Sequence, residues 1–553
     1  MPKTIIMDTE DDGLEKLMKT LGEYGRYQNY QFLLHVLSAV PTSIAMLSLV
    51  TIAAVPEHRC AIEGVDTLNY TASWNSSLVT ENIPTNEYGK LESCKIFGAN
   101  NTIQECNSWV YDTKYYHSSR GIEWDFVCNR RWMGAAPQAI FMTGVVLGSL
   151  VLGPLCDTFG RRTIFIWTAL FQLITGILSA FATEYYTFLT IRFLYGIFGI
   201  SPFKAGYVLM IELIGPRKRT FCGALFQILF GVGVMLLGVW GYVIDNRFYL
   251  QIVYASHAAL LLPHWFLMDE SPRWLWGKGR VREAVAIVDK GLRINRSKET
   301  VDTPLIVSHY KTLCDPCVKS STTGILDLFR TPNMARKSVI ICGCWLAVYV
   351  VYYGLAINTG KLNGNPFIIL FLSGFVELPG YIIGMYLVSI IGHRATLSST
   401  MLLSGVACLV IVLLPQASTM TTVAAMIGKF IASGSFAIIY KYSAELFPTV
   451  VRSSGVGFGT MCGSISAALT PLITLLDTFK PEIPTIIFGL SGLVFGLCCM
   501  LLPETRGRKL PQTLEDGELF GLNDTCFTSC RRRGSDYSDS PDFFEPLKID
   551  GKK

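Results

Sequence analysis

The chain alternates between apolar runs of roughly 20 residues and polar stretches of unequal length. The runs fall near residues 32–55, 133–152, 163–182, 186–211, 221–244 and 249–268, and again near 338–357, 366–391, 396–414, 419–443, 454–476 and 484–502. A helix of about 20 apolar residues crosses ~30 Å of hydrocarbon and satisfies its own backbone. The pattern therefore predicts an all-α polytopic membrane protein with twelve transmembrane helices in two six-helix pseudo-repeats.

The polar stretches divide the chain into an N-terminal segment 1–31, a first half 32–268, a linker 269–337, a second half 338–502 and a tail 503–553. Twelve spans put both termini and the linker on one side of the membrane, and the linker's surplus of Lys and Arg over Asp and Glu makes that side the cytosol. A helix with charges on one face is expected near 279–293. One connection is far longer than the rest: residues 56–131 carry the sequons at Asn69, Asn75 and Asn100 and four cysteines, Cys60, Cys94, Cys106 and Cys128. Together these predict an extracellular, glycosylated and disulfide-bonded loop. Four cysteines leave three pairings open. The first 25 residues show no apolar core of a removable signal peptide.

The composition agrees: half of the residues are hydrophobic, 16% are charged and the mean hydropathy is +0.39. The net charge of +5 is accounted for by the positive connections, so nucleic acid is not implied as a partner. Most other cysteines lie inside apolar runs, where they pack as small hydrophobes.

The two halves repeat landmarks at nearly constant spacing. Gly160 and Gly392, Glu212 and Glu445, and Glu270 and Glu504 are separated by 232, 233 and 234 residues. Such duplication, with both copies in the same order, is expected of a carrier whose halves rock about a central site. Residues Gly153 to Arg162 read as a tight polar hairpin between the second and third runs, bringing Asp157, Arg161 and Arg162 to one membrane face.

Ionisable side chains inside the runs are costly and mark candidate functional positions. Lys204, Glu377 and Lys429 are such residues; Lys441 lies close enough to a helix end to snorkel. Tyr349, Tyr352 and Tyr353 crowd the seventh run, and a cation gains ~0.5–2 kcal/mol against a ring face.

Several stretches resemble the organic cation, anion and zwitterion (carnitine-type) transporters of the major facilitator superfamily. They are Gly153-Pro154-Leu155-Cys156-Asp157-Thr158-Phe159-Gly160-Arg161-Arg162, Glu123-Trp124-Asp125-Phe126-Val127-Cys128, Asp269-Glu270-Ser271-Pro272-Arg273-Trp274-Leu275 and Ala444-Glu445-Leu446-Phe447-Pro448-Thr449. The likeness spans about residues 20–517. It implies a plasma-membrane carrier working by alternating access, with Phe203, Gln227, Phe230 and Tyr352 facing the substrate.

It also implies a cytosolic gate in which Asp157, Arg161, Arg162, Glu212, Arg219, Glu270, Arg273, Glu445, Arg452 and Glu504 pair between the halves when that face closes. The second copy of the gate loop, Gly392-His393-Arg394, carries fewer charges than the first. In the eleventh run the branch separates substrates by an acid or an arginine six residues before a Thr-Pro step; here the step is Thr470-Pro471 and the position is Ser464. With Glu377 opposed to Lys204 and Lys429, the expectation is a small organic cation or zwitterion, with organic anions as the alternative.

An enzyme is not indicated. Cys314 and Cys317 form a lone CxxC with no second ligand pair, so neither metal nor cofactor is expected, and no phosphate-binding loop is present in the sequence. A sugar carrier of the same superfamily is disfavoured by the long first loop, and a non-transporting adhesion or scaffold protein is the other alternative. The tail offers Cys526 and Cys530 for acylation and Ser535 after Arg532-Arg533 as a kinase site.

Overall fold

The computed structural model describes residues 10–522 and 524, apart from 64, 67–71, 75, 86–90, 99–101, 298–303, 305, 307–324, 416–417 and 509–510. The three sequon asparagines, Cys314 with Cys317, and the tail positions Cys526, Cys530 and Ser535 lie outside the described residues.

Among the described residues ten helices are long and apolar enough to cross a membrane. They are Arg26–Ile52, Cys128–Phe159, Arg161–Phe181, Tyr185–Leu213 and Phe221–Val243, then Pro332–Gly360, Pro366–Ile391, His393–Leu413, Thr419–Leu446 and Ser454–Thr478. They correspond to runs one to five and seven to eleven. The other two depart from the uniform pattern. The sixth run breaks into Arg247–Ser256, a 3-10 turn His257–Leu261 and a single turn His264–Leu267. Pro263 cannot donate to the ladder there, and His264 Nε2 instead lies 2.8 Å from the Leu34 carbonyl on the first span. The twelfth is the 17-residue helix Ile483–Cys499.

The expected hairpin at 153–162 is corrected. Helix continues through Phe159, and the whole reversal is made by Gly160 at φ +101°; Gly392 does the same in the second half at φ +93°. Positive φ and crowding both demand glycine, because a Cβ on Gly160 would lie 2.4 Å from Glu270 Oε2 and one on Gly392 2.6 Å from Glu504.

Packing repeats between the halves. The first span packs on the fifth, the second on the fourth and the third on the sixth; the seventh packs on the eleventh, the eighth on the tenth and the ninth on the twelfth. The halves meet where the second span faces the eleventh and the fifth faces the eighth. The fifth and eighth approach closely: a Cβ on Gly374 would sit 2.8 Å from the Gly231 carbonyl. Large apolar side chains such as Leu150, Phe171, Ile382, Val406 and Leu497 point outward, as a hydrocarbon solvent permits.

We call the face that carries the long loop outer and the opposite face inner. The loop holds two short antiparallel ladders, His58–Cys60 with Trp109–Tyr111 and Lys95–Phe97 with Ile103–Glu105. Of the three cysteine pairings, the structure adopts Cys60–Cys106 and Cys94–Cys128. Arg59, fully buried, forks onto Asp66 at 2.7 and 2.8 Å. This guanidinium above all, helped by two backbone amides, draws the Asp66 carboxyl down to about 2.

On the inner face the helix Val281–Asn295 forms near the predicted place. Its apolar side packs with Leu17 and Leu21 of an N-terminal helix, Glu10–Leu21. Asn295 Oδ1 accepts the Tyr27 amide at 2.8 Å, capping the first span from a distance. The second half does likewise: Glu518, beyond the twelfth span, accepts the Asn333 and Met334 amides at 2.9 Å each. Free amides at a helix start require such acceptors.

Candidate functional site

The fourth span is interrupted at Ile200, because Pro202 has no N–H to continue the ladder. Phe203 and Lys204 follow the break and face a cavity of about 20 Å³ between the halves. That space holds about one water, so the chamber is nearly closed in this conformation. Its far wall is built by Tyr349, Tyr353, Tyr440 and Ser464 from the second half. Lys204 Nζ donates to Ser149 Oγ at 2.6 Å, and the Ser149 hydroxyl in turn donates a hydrogen bond to the Val145 carbonyl at 2.6 Å. Tyr349 and Tyr440 share a hydroxyl contact of 3.0 Å.

Glu377, Lys429 and Tyr352 form a second cluster, behind this wall. Lys429 Nζ lies 3.1 Å from Glu377 Oε1, with the side chains 2% and 0% exposed. The Tyr352 hydroxyl donates to the same carboxylate at 2.9 Å and that of Tyr381 at 3.0 Å. The ammonium also sits 3.2 Å from the Tyr352 ring centre. Glu377 therefore has its acceptor capacity taken up by protein donors. The expected opposition of Glu377 to Lys204 across one open chamber is not what this conformation holds. Tyr352 and Tyr353 (5.2 Å) and Tyr349 and Phe436 (4.9 Å) make the aromatic partition between the two clusters.

Phe203, Lys204 and Ser464 thus line the cavity. Phe230 reaches it indirectly, packing edge-on against Phe203 at 6.3 Å. Gln227 is buried on the fifth span outside the lining. Ser149 and Tyr440 were not singled out from sequence; neither a serine nor a tyrosine in an apolar run stands out by itself. Arg192 did carry a signal, being a charge inside the fourth run. It is 2% exposed and held by neutral groups, the Ser48 hydroxyl at 3.2 Å, Gln138 Oε1 at 3.4 Å and the Phe141 ring at 4.6 Å.

This conformation joins the halves at the outer mouth and leaves the inner-face acids and bases to local partners. Their contacts lie within each half. Arg161 bridges Asp157 at 2.8 Å and Glu212 at 3.1 Å. Arg273 donates to the Glu212 carbonyl at 3.0 Å, Arg219 to that of Ile214 at 2.9 Å and Arg162 to that of Trp265. Glu270 accepts the backbone amides of Arg161 and Arg162 at 3.2 and 3.1 Å. Burial pushes its carboxyl up, while those amides and Arg161 pull the other way.

In the second half Glu504 accepts the amides of His393 and Arg394 at 2.9 and 3.1 Å. Glu445 takes the Thr505 hydroxyl at 2.8 Å and interacts electrostatically with Arg452. The reason is geometric. After its glycine turn, each third helix of a half starts with unpaired amides and a positive dipole end, and a returning carboxylate caps it.

Contacts across the halves occur elsewhere. Arg131, in the first turn of the second span, pairs with Asp477, in the last turn of the eleventh, at 2.9 Å. Tyr116 of the long loop packs on Phe367 at the start of the eighth span, ring centres 5.0 Å apart. Both join the halves at the outer mouth.

The model of the family described as sugar (and other) transporter matches residues 96–516. An organic cation transporter protein of Drosophila melanogaster is 35% identical over 534 residues, covering 92% of this chain and 95% of that one. A beta-alanine transporter of the same organism is 32% identical, covering 92% and 90%. The xylose transporter XylE from E. coli shares the fold, with a TM-score of 0.56 at 14% identity over 89% of this chain and 99% of that one. Twin six-helix halves, a closed chamber between them and these likenesses lead to one conclusion: the chain is a membrane transporter of the sugar (and other) transporter family, in the organic-ion branch of the major facilitator superfamily.

Proposed function

We propose that the protein carries small organic cations or zwitterions across the plasma membrane by alternating access. The observation that carries this reading is the chamber between the halves, with Lys204 on one wall and three tyrosines on the other. Rings and hydroxyls suit an alkylammonium group, and the relatives include an organic cation transporter and a beta-alanine transporter. The moving bodies are the halves 32–268 and 338–502, with both termini and the linker cytosolic and the long loop outside. The inner-face acids and bases keep each half rigid, and the outer contacts Arg131–Asp477 and Tyr116–Phe367 separate when the chamber opens outward.

Uptake of a labelled panel of quaternary amines, amino-acid zwitterions and organic anions into cells expressing the protein tests this. Cation or zwitterion uptake, weakened by changes at Lys204 or Tyr349, is the expected result. Transport of anions alone, or of nothing by protein shown to be at the cell surface, removes it.

A further inference from the structure

Away from the helix ends, the described spans hold three cations, Arg192, Lys204 and Lys429, and one carboxylate, Glu377. Lys429 has that carboxylate at 3.1 Å. Arg192 is buried, enclosed by a hydroxyl, an amide oxygen and two rings, and lies outside the cavity lining. Lys204 differs from both. It borders the cavity, is less buried than the other two, and its polar contact is one neutral hydroxyl, Ser149 Oγ.

An ammonium facing a nearly closed chamber that holds about one water, with a hydroxyl in place of a counter-charge, has an unmet demand for an anion. The partition of Tyr352, Tyr353 and Phe436 keeps Glu377 from meeting it. Resting on the carrier reading above, we propose that the substrate must bring a carboxylate, that Lys204 receives it, and that Ser149 is the positioning residue that turns the Lys204 ammonium toward the chamber. The substrate class is then a zwitterion: its carboxylate meets Lys204 and its ammonium the faces and hydroxyls of Tyr349, Tyr353 and Tyr440. Ser149 suits the role because its proton is committed to the Val145 carbonyl, which leaves its oxygen to accept from Lys204.

The test pairs each zwitterion with the carboxamide of nearly the same shape, which lacks the negative charge and offers an NH2 in place of one oxygen: beta-alanine with beta-alaninamide, and carnitine with its amide. Initial uptake rates are measured in cells with surface expression quantified. The acids are expected at least ~10-fold ahead of their amides, a charged hydrogen bond lost from a desolvated site. Lys204→Gln should erase that preference. Ser149→Ala should raise KM for the acids roughly 2- to 10-fold with Vmax kept, and Ser149→Thr should restore it.

Amides carried as well as acids, or a preference that survives Lys204→Gln, overturns the proposal and leaves the carrier reading standing. Anions without an ammonium group carried faster than either series would overturn the zwitterion assignment. No uptake of any compound by surface-expressed protein would instead defeat the carrier reading itself. A lower Vmax with unchanged KM in Ser149→Ala, not restored by threonine, would mark a structural residue and refute its positioning role.

Discussion

Replacing Lys429 by methionine tests whether the second-half interior is a closed ion pair or a half-open binding site. At 3.1 Å, with 2% and 0% of the side chains exposed, the attraction between Lys429 and Glu377 is about 5 kcal/mol at an effective dielectric near 20. That offsets the cost of taking both charges out of water, so the pair contributes little net stability, yet breaking it is expensive. Lys429→Met leaves the Glu377 carboxylate with two phenol donors, Tyr352 and Tyr381, and no cation, at an expected cost of about 3–5 kcal/mol. Glu377→Gln alone should cost a similar amount by stranding the ammonium.

The double variant removes both charges, keeps an amide oxygen for the two hydroxyls, and should lose no more than about 2 kcal/mol, against about 6–10 kcal/mol for the two singles together, a coupling of at least about 4 kcal/mol. Denaturant titration of the four purified proteins in one detergent, read as the midpoint of helix loss, measures the cycle. If Lys429→Met unfolds no earlier than the parent, or the double variant is no better than the singles, the two residues are not a buried pair and the partition drawn behind the chamber is wrong.

At the outer mouth, Arg131→Glu should weaken closure and Asp477→Arg in the same protein should restore it. The pair is worth ~0.5–1 kcal/mol because Arg131 is 42% exposed, so uptake should change about 2- to 5-fold; identical rates in all variants would exclude a latch. Glu504→Gln should lower stability by about 1–2 kcal/mol by weakening the cap on the ninth span. Charge reversal of Arg219, in the first half, should not compensate it, and recovery by that reversal would favour an inter-half gate instead. In the long loop the Asp66 carboxyl is drawn from 3.8 to about 2 chiefly by Arg59. A depressed folded value means the stabilisation is full above pH ~4 and fades as pH falls from there toward 2. Loop-directed proteolysis of intact cells across that range should rise at acid pH in the parent, and Asp66→Asn should be cleaved more at neutral pH and respond less to acid.

Span positions, the duplication and the disulfide-bearing loop were legible because each is written locally. A run of about 20 apolar residues can satisfy its backbone in lipid only as a helix, and recurring glycines and acids at one spacing mark two copies of one unit. The broken sixth helix was missed because hydropathy sums side chains and does not register the donor lost at Pro263 or the pull of the Leu34 carbonyl on His264. The hairpin was misjudged for a related reason: Gly153 and Pro154 look like turn residues, yet a membrane helix tolerates both, and the one residue with positive φ is Gly160.

What the sequence determined by itself was therefore the solvent, the order of the helices and the identity of the costly charges. Which charge meets which was decided by the tertiary structure alone. Lys204 and Lys429 look equivalent along the chain, both lysines in apolar runs, and differ only because helix rotation brings Ser149 to one and Glu377 to the other. Likewise Glu270 and Glu504 read as gate acids, and in this conformation they cap helices whose amides lie 108 to 111 residues away in sequence. Burial makes such partnerships compulsory, and the distances that settle them exist only once the helices have packed.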